Sequence, residues 1–175
     1  PQKYGFHGTL KAPFKLNTDR SLDGLRKALL SFSQQTPKFT IGKMQVARLG
    51  NFVAIIQNNQ SIDLRNFAAT IVEHFEEFRA PLSENDIAKR RKANLTQRQD
   101  ELMLRWGYPY VFEEFKFHLT LTGKLDESSA EITKNVLAEH LTSILNKPLE
   151  AVDICLYGER EDGRFEIIER FPLQG

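Results

Sequence analysis

Two short strings in this chain combine residue types that could act on a phosphate. They are Tyr4-Gly5-Phe6-His7-Gly8-Thr9-Leu10-Lys11 and Phe115-Lys116-Phe117-His118-Leu119-Thr120-Leu121-Thr122-Gly123. In extended backbone, side chains at i and i+2 share a face. His7, Thr9 and Lys11 then lie together with Phe6 and Leu10 behind them. Lys116, His118, Thr120 and Thr122 likewise oppose Phe115, Phe117, Leu119 and Leu121. Imidazole titrates near neutral pH and can serve as general base or general acid, each role contributing ~10²–10⁴-fold. The neighbouring hydroxyls can donate to non-bridging oxygens as charge builds at phosphorus, and lysines would add positive potential without a metal. On a 2′,3′-cyclic phosphate, one histidine would activate water while the other protonates the leaving ribose oxygen. The catalytic candidates are His7 and His118, the phosphate-binding candidates Thr9 and Thr120, with Lys11 as a subsidiary one.

The string alone is weak evidence, because His140-Leu141-Thr142 spells it again. That copy lies in a predicted helix, where positions two apart diverge by about 200°. His140 therefore reads as a helix-flank histidine, and His74, with no threonine two residues on, reads as a neighbour of the Phe67, Ile71 and Phe78 stripe. The plain alternative for His7 and His118 is a half-exposed strand with ordinary polar residues. It is weakened by finding two strand copies at matched places. No Asp/Glu cluster accompanies the histidines at ligand spacing, so neither a zinc nor an iron site is expected, and no cofactor is assigned. A Gly-rich nucleotide loop and a Gly-x-Ser-x-Gly elbow are both absent from the sequence. Cys155 sits on a predicted strand and reads as packing. The run Lys89-Arg90-Arg91-Lys92 reads as a solvated helix face, the competing reading being a phosphate-gathering rim with Arg79, Arg90 or Arg98. Trp106, Tyr108 and Tyr110 read as core or lobe-contact residues, with Tyr110 kept beside Lys11 as a subsidiary candidate on the phosphate side.

The elements that must position these groups form a repeat. Tyr4 to Lys11 reads as a strand, and Ser21 caps a helix over 21–35 with Leu22, Leu25, Leu29 and Phe32 inward. Lys38 to Leu49 reads as a strand whose alternation slips near Gly42, and Gly50-Asn51 turns it into a return strand over 52–57. A helix from Ser61 carries Leu64, Phe67, Ala68, Ile71, Phe75 and Phe78 on one stripe. Ser83/Asp86 and Thr96/Gln99 are spaced as capping boxes, so two short helices link the halves. The motif strand, 115–124, opens the second half. Ser128 then caps a helix with Ile132, Val136, Leu137, Leu141, Ile144 and Leu145 on its buried side. A strand with Val152, Ile154 and Leu156 follows, turned by Asp162-Gly163 into Phe165 to Phe171. Each half is strand, helix, strand, strand. The fold class is α+β: one bilobal domain over 1–175, with lobe one at 1–60, a helical linker at 61–112 and lobe two at 113–175.

Composition narrows the class of partner. The 24 basic and 23 acidic residues leave a net charge of +1, which argues against a general nucleic-acid wrapper and favours a small phosphorylated ligand. One cysteine rules out an internal disulfide framework and fits a reducing compartment. No apolar run approaches the ~20 residues of a membrane span and no signal peptide opens the chain, so a cytoplasmic protein is expected.

His7-Gly8-Thr9-Leu10 and His118-Leu119-Thr120-Leu121 resemble the paired His-x-Thr-x motifs of the two-histidine (2H) phosphoesterases. The longer strings, Tyr4 to Phe14, Trp106-Gly107-Tyr108-Pro109-Tyr110 and Phe117 to Gly123, resemble a bacterial branch described as a phosphonate-metabolism protein and domain of unknown function. The likeness extends over nearly the whole chain. It implies a pseudo-symmetric fold with antiparallel sheets flanking a central cleft, and metal-independent phosphodiester chemistry. It also implies that His7 and His118 are catalytic and that Thr9 and Thr120 bind phosphate. That branch carries a further segment, including a strand, before its first motif, so residues upstream of Pro1 are expected. The function expected is hydrolysis of a cyclic phosphate or ribose-linked phosphodiester. The competing readings are a non-catalytic phospho-ligand module and an RNA-end processing enzyme.

Overall fold

Leu25, Leu29 and Phe32 recur at helical spacing, and the helix they predict forms at Leu22–Gln35 (α1) with all three buried. Ser21 starts it by accepting the Gly24 N–H on its hydroxyl at 3.0 Å. The computed structural model describes residues 4–175. After α1 the expected strand over 38–49 is broken into β1 (Phe39–Gly42) and β2 (Met44–Leu49). Gly42 sits between them at φ +111°, a region only glycine enters cheaply, and this break is the slip in the alternation. Gly50, at φ +61°, begins the tight connection to β3 (Phe52–Gln57), which pairs antiparallel with β2 from Met44↔Gln57 to Leu49↔Phe52.

The middle of the chain is helical: α2 (Ile62–His74), α3 (Glu84–Arg91) and α4 (Gln97–Trp106), with short 3-10 turns at Glu76–Phe78 and Phe112–Glu114. Both capping boxes form. The Ser83 hydroxyl takes the Asp86 N–H while the Asp86 carboxylate takes the Ser83 N–H, and Thr96 and Gln99 do the same for α4. Leu64, Phe67, Ala68, Ile71 and Val72 line the buried side of α2.

The second motif forms β4 (His118–Thr120), followed by α5 (Glu127–Leu145), β5 (Leu149–Ala151), β6 (Asp153–Glu159) and β7 (Phe165–Pro172). The cap of α5 is Asp126 instead of Ser128. Its carboxylate accepts from the Ser129 N–H at 2.9 Å and the Ser128 hydroxyl at 2.7 Å, and these bonds hold its pKa well below the usual carboxylate range. The buried side of α5 also differs from expectation. Ala130 is fully buried and Leu137, Leu141 and Leu145 are half-buried, whereas Ile132, Val136 and Ile144 face outward. The small Ala130 side chain lets the helix approach closely where it packs on β2 and β3. That fixes a stripe running through Leu137, Leu141 and Leu145 and leaves Ile132, Val136 and Ile144 outside it.

Seven strands and five α-helices among the described residues make an α+β fold of antiparallel sheets: β1-β5, β2-β3-β4 and β6-β7. By its contacts the chain divides into two compact units. One holds the described part of Pro1–Thr9 with Leu29–Ser61 and Phe117–Gly175; the other holds Leu10–Ala28 and Ile62–Lys116. These bounds differ from the lobes read from sequence. The strands of the two halves pair with one another, β1 with β5 and β3 with β4, so the spans 1–60 and 113–175 supply one unit between them. Its core includes Phe32, Ile41, Val53, Ala54, Ile154, Phe171 and Leu173. The other unit is centred on α2, with Val72, Leu102 and Val111 packed under Trp106, Tyr108 and Phe112. Among the described residues no helix is long and apolar enough to cross a membrane.

Candidate active site

The two motifs meet backbone to backbone. Residues 4–11 do not form the continuous strand expected; they make a single antiparallel bridge, Gly8↔Leu119, along the free side of β4. Residues opposite one another in an antiparallel pair share a face. The bridge register therefore sets His7 opposite Thr120 and Thr9 opposite His118. Alternation turns these four away from the face of Gly8 and Leu119. The far side is packed: a Cβ on Gly8 would overlap the Phe117 ring and come within 3.2 Å of Leu119 Cδ2. Glycine at this position is what allows the two ribbons to touch. One polar face thus carries two imidazoles and two hydroxyls, all within one compact unit.

The His7 ring is held from several directions. Its Nδ1 donates to the Gly5 carbonyl at 3.2 Å, and its Nε2 lies 3.1 Å from the Thr9 hydroxyl. Tyr4 and Tyr157 approach it with ring centroids at 5.3 and 5.8 Å, and Tyr4 stacks in turn on Phe165 at 4.6 Å. His7 therefore touches the β6-β7 sheet while its neighbour Gly8 completes the edge of β2-β3-β4. His118 is held by the ladder, Ile56↔His118 and Ala54↔Thr120, with the Phe52 ring 6.1 Å away on the same face. Thr122, which shares this alternation, has a structural task. Its hydroxyl accepts the Val53 N–H at 3.0 Å and donates to the Gly123 carbonyl at 2.9 Å, closing the end of β4 onto β3. Tyr157 sits among Asp153, Cys155 and Arg170 on the paired β6-β7 strands, and burial pushes its phenol pKa up.

Lys11 does not join this face. The backbone bends at Leu10-Lys11, ending the alternation that was expected to align it with His7 and Thr9. Its Nζ instead donates to Glu76 Oε2 and to the Val72 carbonyl, both at 2.9 Å. Burial lowers its pKa, and the Glu76 carboxylate offsets part of that shift. Lys11 is an internal ion-pair partner within the α2-centred unit. Tyr110 belongs to that unit as well, its ring set edge-on to Tyr108 at 5.5 Å. The arginines weighed as a phosphate rim are engaged there too. Arg79 bonds Glu76 at 2.6 and 2.9 Å, Arg98 pairs with Glu113, and Arg90 lies over the Tyr108 ring at 5.4 Å. In the run 89–92, Arg91 makes a two-pronged pair with Asp100 at 2.8 Å for each prong, fastening α3 to α4. Cys155 is half-buried, and burial together with Asp153 raises its thiol pKa. Among the described residues no group of three or more His, Cys, Asp or Glu is placed to hold a metal ion.

Sequence reading missed the ring neighbours Tyr4, Tyr157 and Phe52 and the Gly5 carbonyl. Tyr157 was available as the residue alternating out of phase with Ile154 and Leu156, but its nearness to His7 depends on non-local pairing.

Comparison with known proteins adds a family and two relatives. A protein-family model described as "Protein of unknown function (DUF1045)" matches residues 9–166. Among curated proteins, the chain is similar to "Ribose 1,5-bisphosphate phosphokinase PhnN" of Janthinobacterium sp. (strain Marseille). The two are 32% identical over 179 residues, covering 99% of this chain and 40% of that protein. A protein of the same name from Laribacter hongkongensis (strain HLHK9) is 30% identical over 161 residues, covering 92% of this chain and 37% of that protein. The chain thus spans about two-fifths of the length of these curated relatives. No solved structure matches it.

Proposed function

The chain belongs to the family described as Protein of unknown function (DUF1045), and we propose that it is a metal-independent phosphoesterase of the two-histidine kind. Its substrate is a cyclic phosphate or a ribose-linked phosphodiester. The observation that carries this reading is the Gly8↔Leu119 bridge, which sets His7, Thr9, His118 and Thr120 on one face. Gly8 and Leu119 are the middle residues of their His-x-Thr strings, so the two motifs meet at equivalent positions. That equivalence supports the pseudo-symmetric reading of the two motifs.

On this face one imidazole takes a proton from water as the water oxygen bonds to phosphorus. The other gives its proton to the ribose oxygen as the bond from phosphorus to that oxygen breaks. The Thr9 and Thr120 hydroxyls donate to the non-bridging oxygens while phosphorus is five-coordinate. One water is consumed, and solvent restores the starting protonation of both rings. The relatives are named for ribose 1,5-bisphosphate, which supports a phosphorylated ribose as the substrate class. Their kinase name describes proteins more than twice as long as the matched region, and this chain has no Gly-rich nucleotide loop. The likeness to the phosphonate-metabolism branch supports a ribosyl phosphate of that metabolism as a candidate substrate.

A panel of 2′,3′-cyclic nucleotides and cyclic ribose phosphates, assayed with excess chelator, tests the reading. Turnover of at least one cyclic phosphate, lost in His7→Ala and in His118→Ala, is the expected result. Turnover that stops on adding chelator would sink it. Saturable binding of a phosphorylated ribose with no product formed would instead make the face a binding module.

A further inference from the structure

We infer that Arg170 on β7 is a specificity-determining residue of this site, binding a phosphate monoester that the substrate carries away from the reacting phosphorus. The inference rests on the phosphoesterase reading and deepens it, narrowing the substrate to a cyclic ribose phosphate with a second, terminal phosphate. Register places the guanidinium. Cys155 pairs with Arg170 across the β6-β7 ladder, and Asp153, Cys155 and Tyr157 alternate onto one face of β6. Tyr157 is the member of that face whose ring approaches His7, at 5.8 Å. Arg170 therefore stands on the His7 side of its sheet. Burial raises the Tyr157 phenol pKa and the Arg170 charge opposes part of that rise, so the two groups are within electrostatic reach.

The way Arg170 is held separates it from other arginines of the chain. Only its Nη1 is engaged, donating at 3.4 Å to each Asp153 oxygen and at 3.3 Å to Cys155 Sγ. Nε and Nη2 have no partner among the described residues. Those two nitrogens form an edge that can grip a phosphate with two parallel bonds. Arg79 and Arg91 commit the same edge to a carboxylate, Glu76 and Asp100 respectively. The Asp153 contacts are longer than the roughly 2.7–2.9 Å of a strong charge-assisted bond. Asp153 thus orients a guanidinium whose side chain is 57% exposed, without closing its outer edge. The three-stranded sheet offers nothing comparable. Its ladder puts Gln45 and Ile56 beside His118, Ala47 and Ala54 beside Thr120, and Leu49 and Phe52 beyond them, with no lysine or arginine on that face. A second charge on the substrate is met from β7, while the sugar lies over uncharged residues.

The test compares each cyclic ribose phosphate that the full chain turns over, in excess chelator, with the same compound phosphorylated on its 5-hydroxyl. Wild type should favour the 5-phosphorylated form ~10²-fold in kcat/KM, mainly through KM. Arg170→Met should bring that ratio to within ~3-fold of one, and Arg170→Lys, which keeps the charge but loses the fork, should hold an intermediate ratio. Equal rates on the two forms in wild type overturn the inference. So does a ratio that survives in Arg170→Met because both forms lose alike, the sign of a merely structural role. A second arm needs no turnover: calorimetric titration with ribose 1,5-bisphosphate and with ribose 1-phosphate. The bisphosphate should bind ~10-fold or more tighter to wild type, and the difference should vanish in Arg170→Met; equal affinities in wild type count against the subsite. Both preferences absent with turnover intact defeats this inference alone. The binding preference present with no cyclic phosphate turned over defeats the phosphoesterase reading and keeps the subsite.

Discussion

His118-Leu119-Thr120 and His140-Leu141-Thr142 carry the same letters, and the backbone beneath them decides what each can do. In β4 the histidine and threonine point to one face of a ladder whose other side is packed by Phe117 and Leu119. In α5 each polar group bonds back to its own helix. His140 Nδ1 donates to the Val136 carbonyl at 2.9 Å and the Thr142 hydroxyl to the Ala138 carbonyl at 2.6 Å. The α2-centred unit repeats the lesson with cations. Lys11, Arg79, Arg91 and Arg98 carry charges that suit a phosphate, yet each is matched to a carboxylate that builds the unit. Chemistry needs groups that the fold holds in place but does not consume.

The sharpest way to break this contrast is to remove the strand-borne rings. His7→Ala and His118→Ala should each lower kcat by ~10²–10⁴-fold with the urea midpoint little changed. Thr9→Val and Thr120→Val come next, each costing ~10²-fold in kcat through the lost donor to phosphoryl oxygen, with the smaller part of the effect in KM. Lys11→Met should leave turnover in place and act on stability.

The sign for Lys11 follows from its lowered pKa. Between that value and the ordinary 10.5, the unfolded chain still holds a proton that the folded chain has lost. The stability tied to this group therefore rises with pH across that window. Wild type should gain on Lys11→Met, in urea midpoint, as pH climbs toward 10.5. A difference that stays flat, or a large loss of turnover, would return Lys11 to the phosphate. The smallest effect belongs to His140→Ala, with unchanged kcat and a stability change within about 0.5 kcal/mol.

Local chemistry was well inscribed in the sequence. The two capping boxes, the turns at Gly50 and Gly163 and the shared face of His118 and Thr120 are properties of a few adjacent residues. What could not be read depends on distant partners. β5 is so short that it does not stand out as a strand without β1, which it meets at Phe39↔Ala151 and Thr40↔Glu150. Residues 4–11 alternate like a strand but gain only one bridge, because the chain bends away after Thr9. On α5 six apolar residues suggested the inner face, and with Ala130 against the sheet only Leu137, Leu141 and Leu145 of them turn inward. The candidate site was legible as four residues. Their meeting at Gly8 and Leu119, and the Gly5 carbonyl behind His7, were not.

Whether the two imidazoles work on one phosphoryl group is read most directly from a double variant. kcat/KM on a cyclic ribose phosphate, with excess chelator, is measured for wild type, His7→Ala, His118→Ala and the variant carrying both. Groups that act as one unit lose their effect together, so the double variant should be no slower than the slower single one. Losses that multiply in the double variant, or turnover that survives in it near the wild-type level, would contradict a shared site.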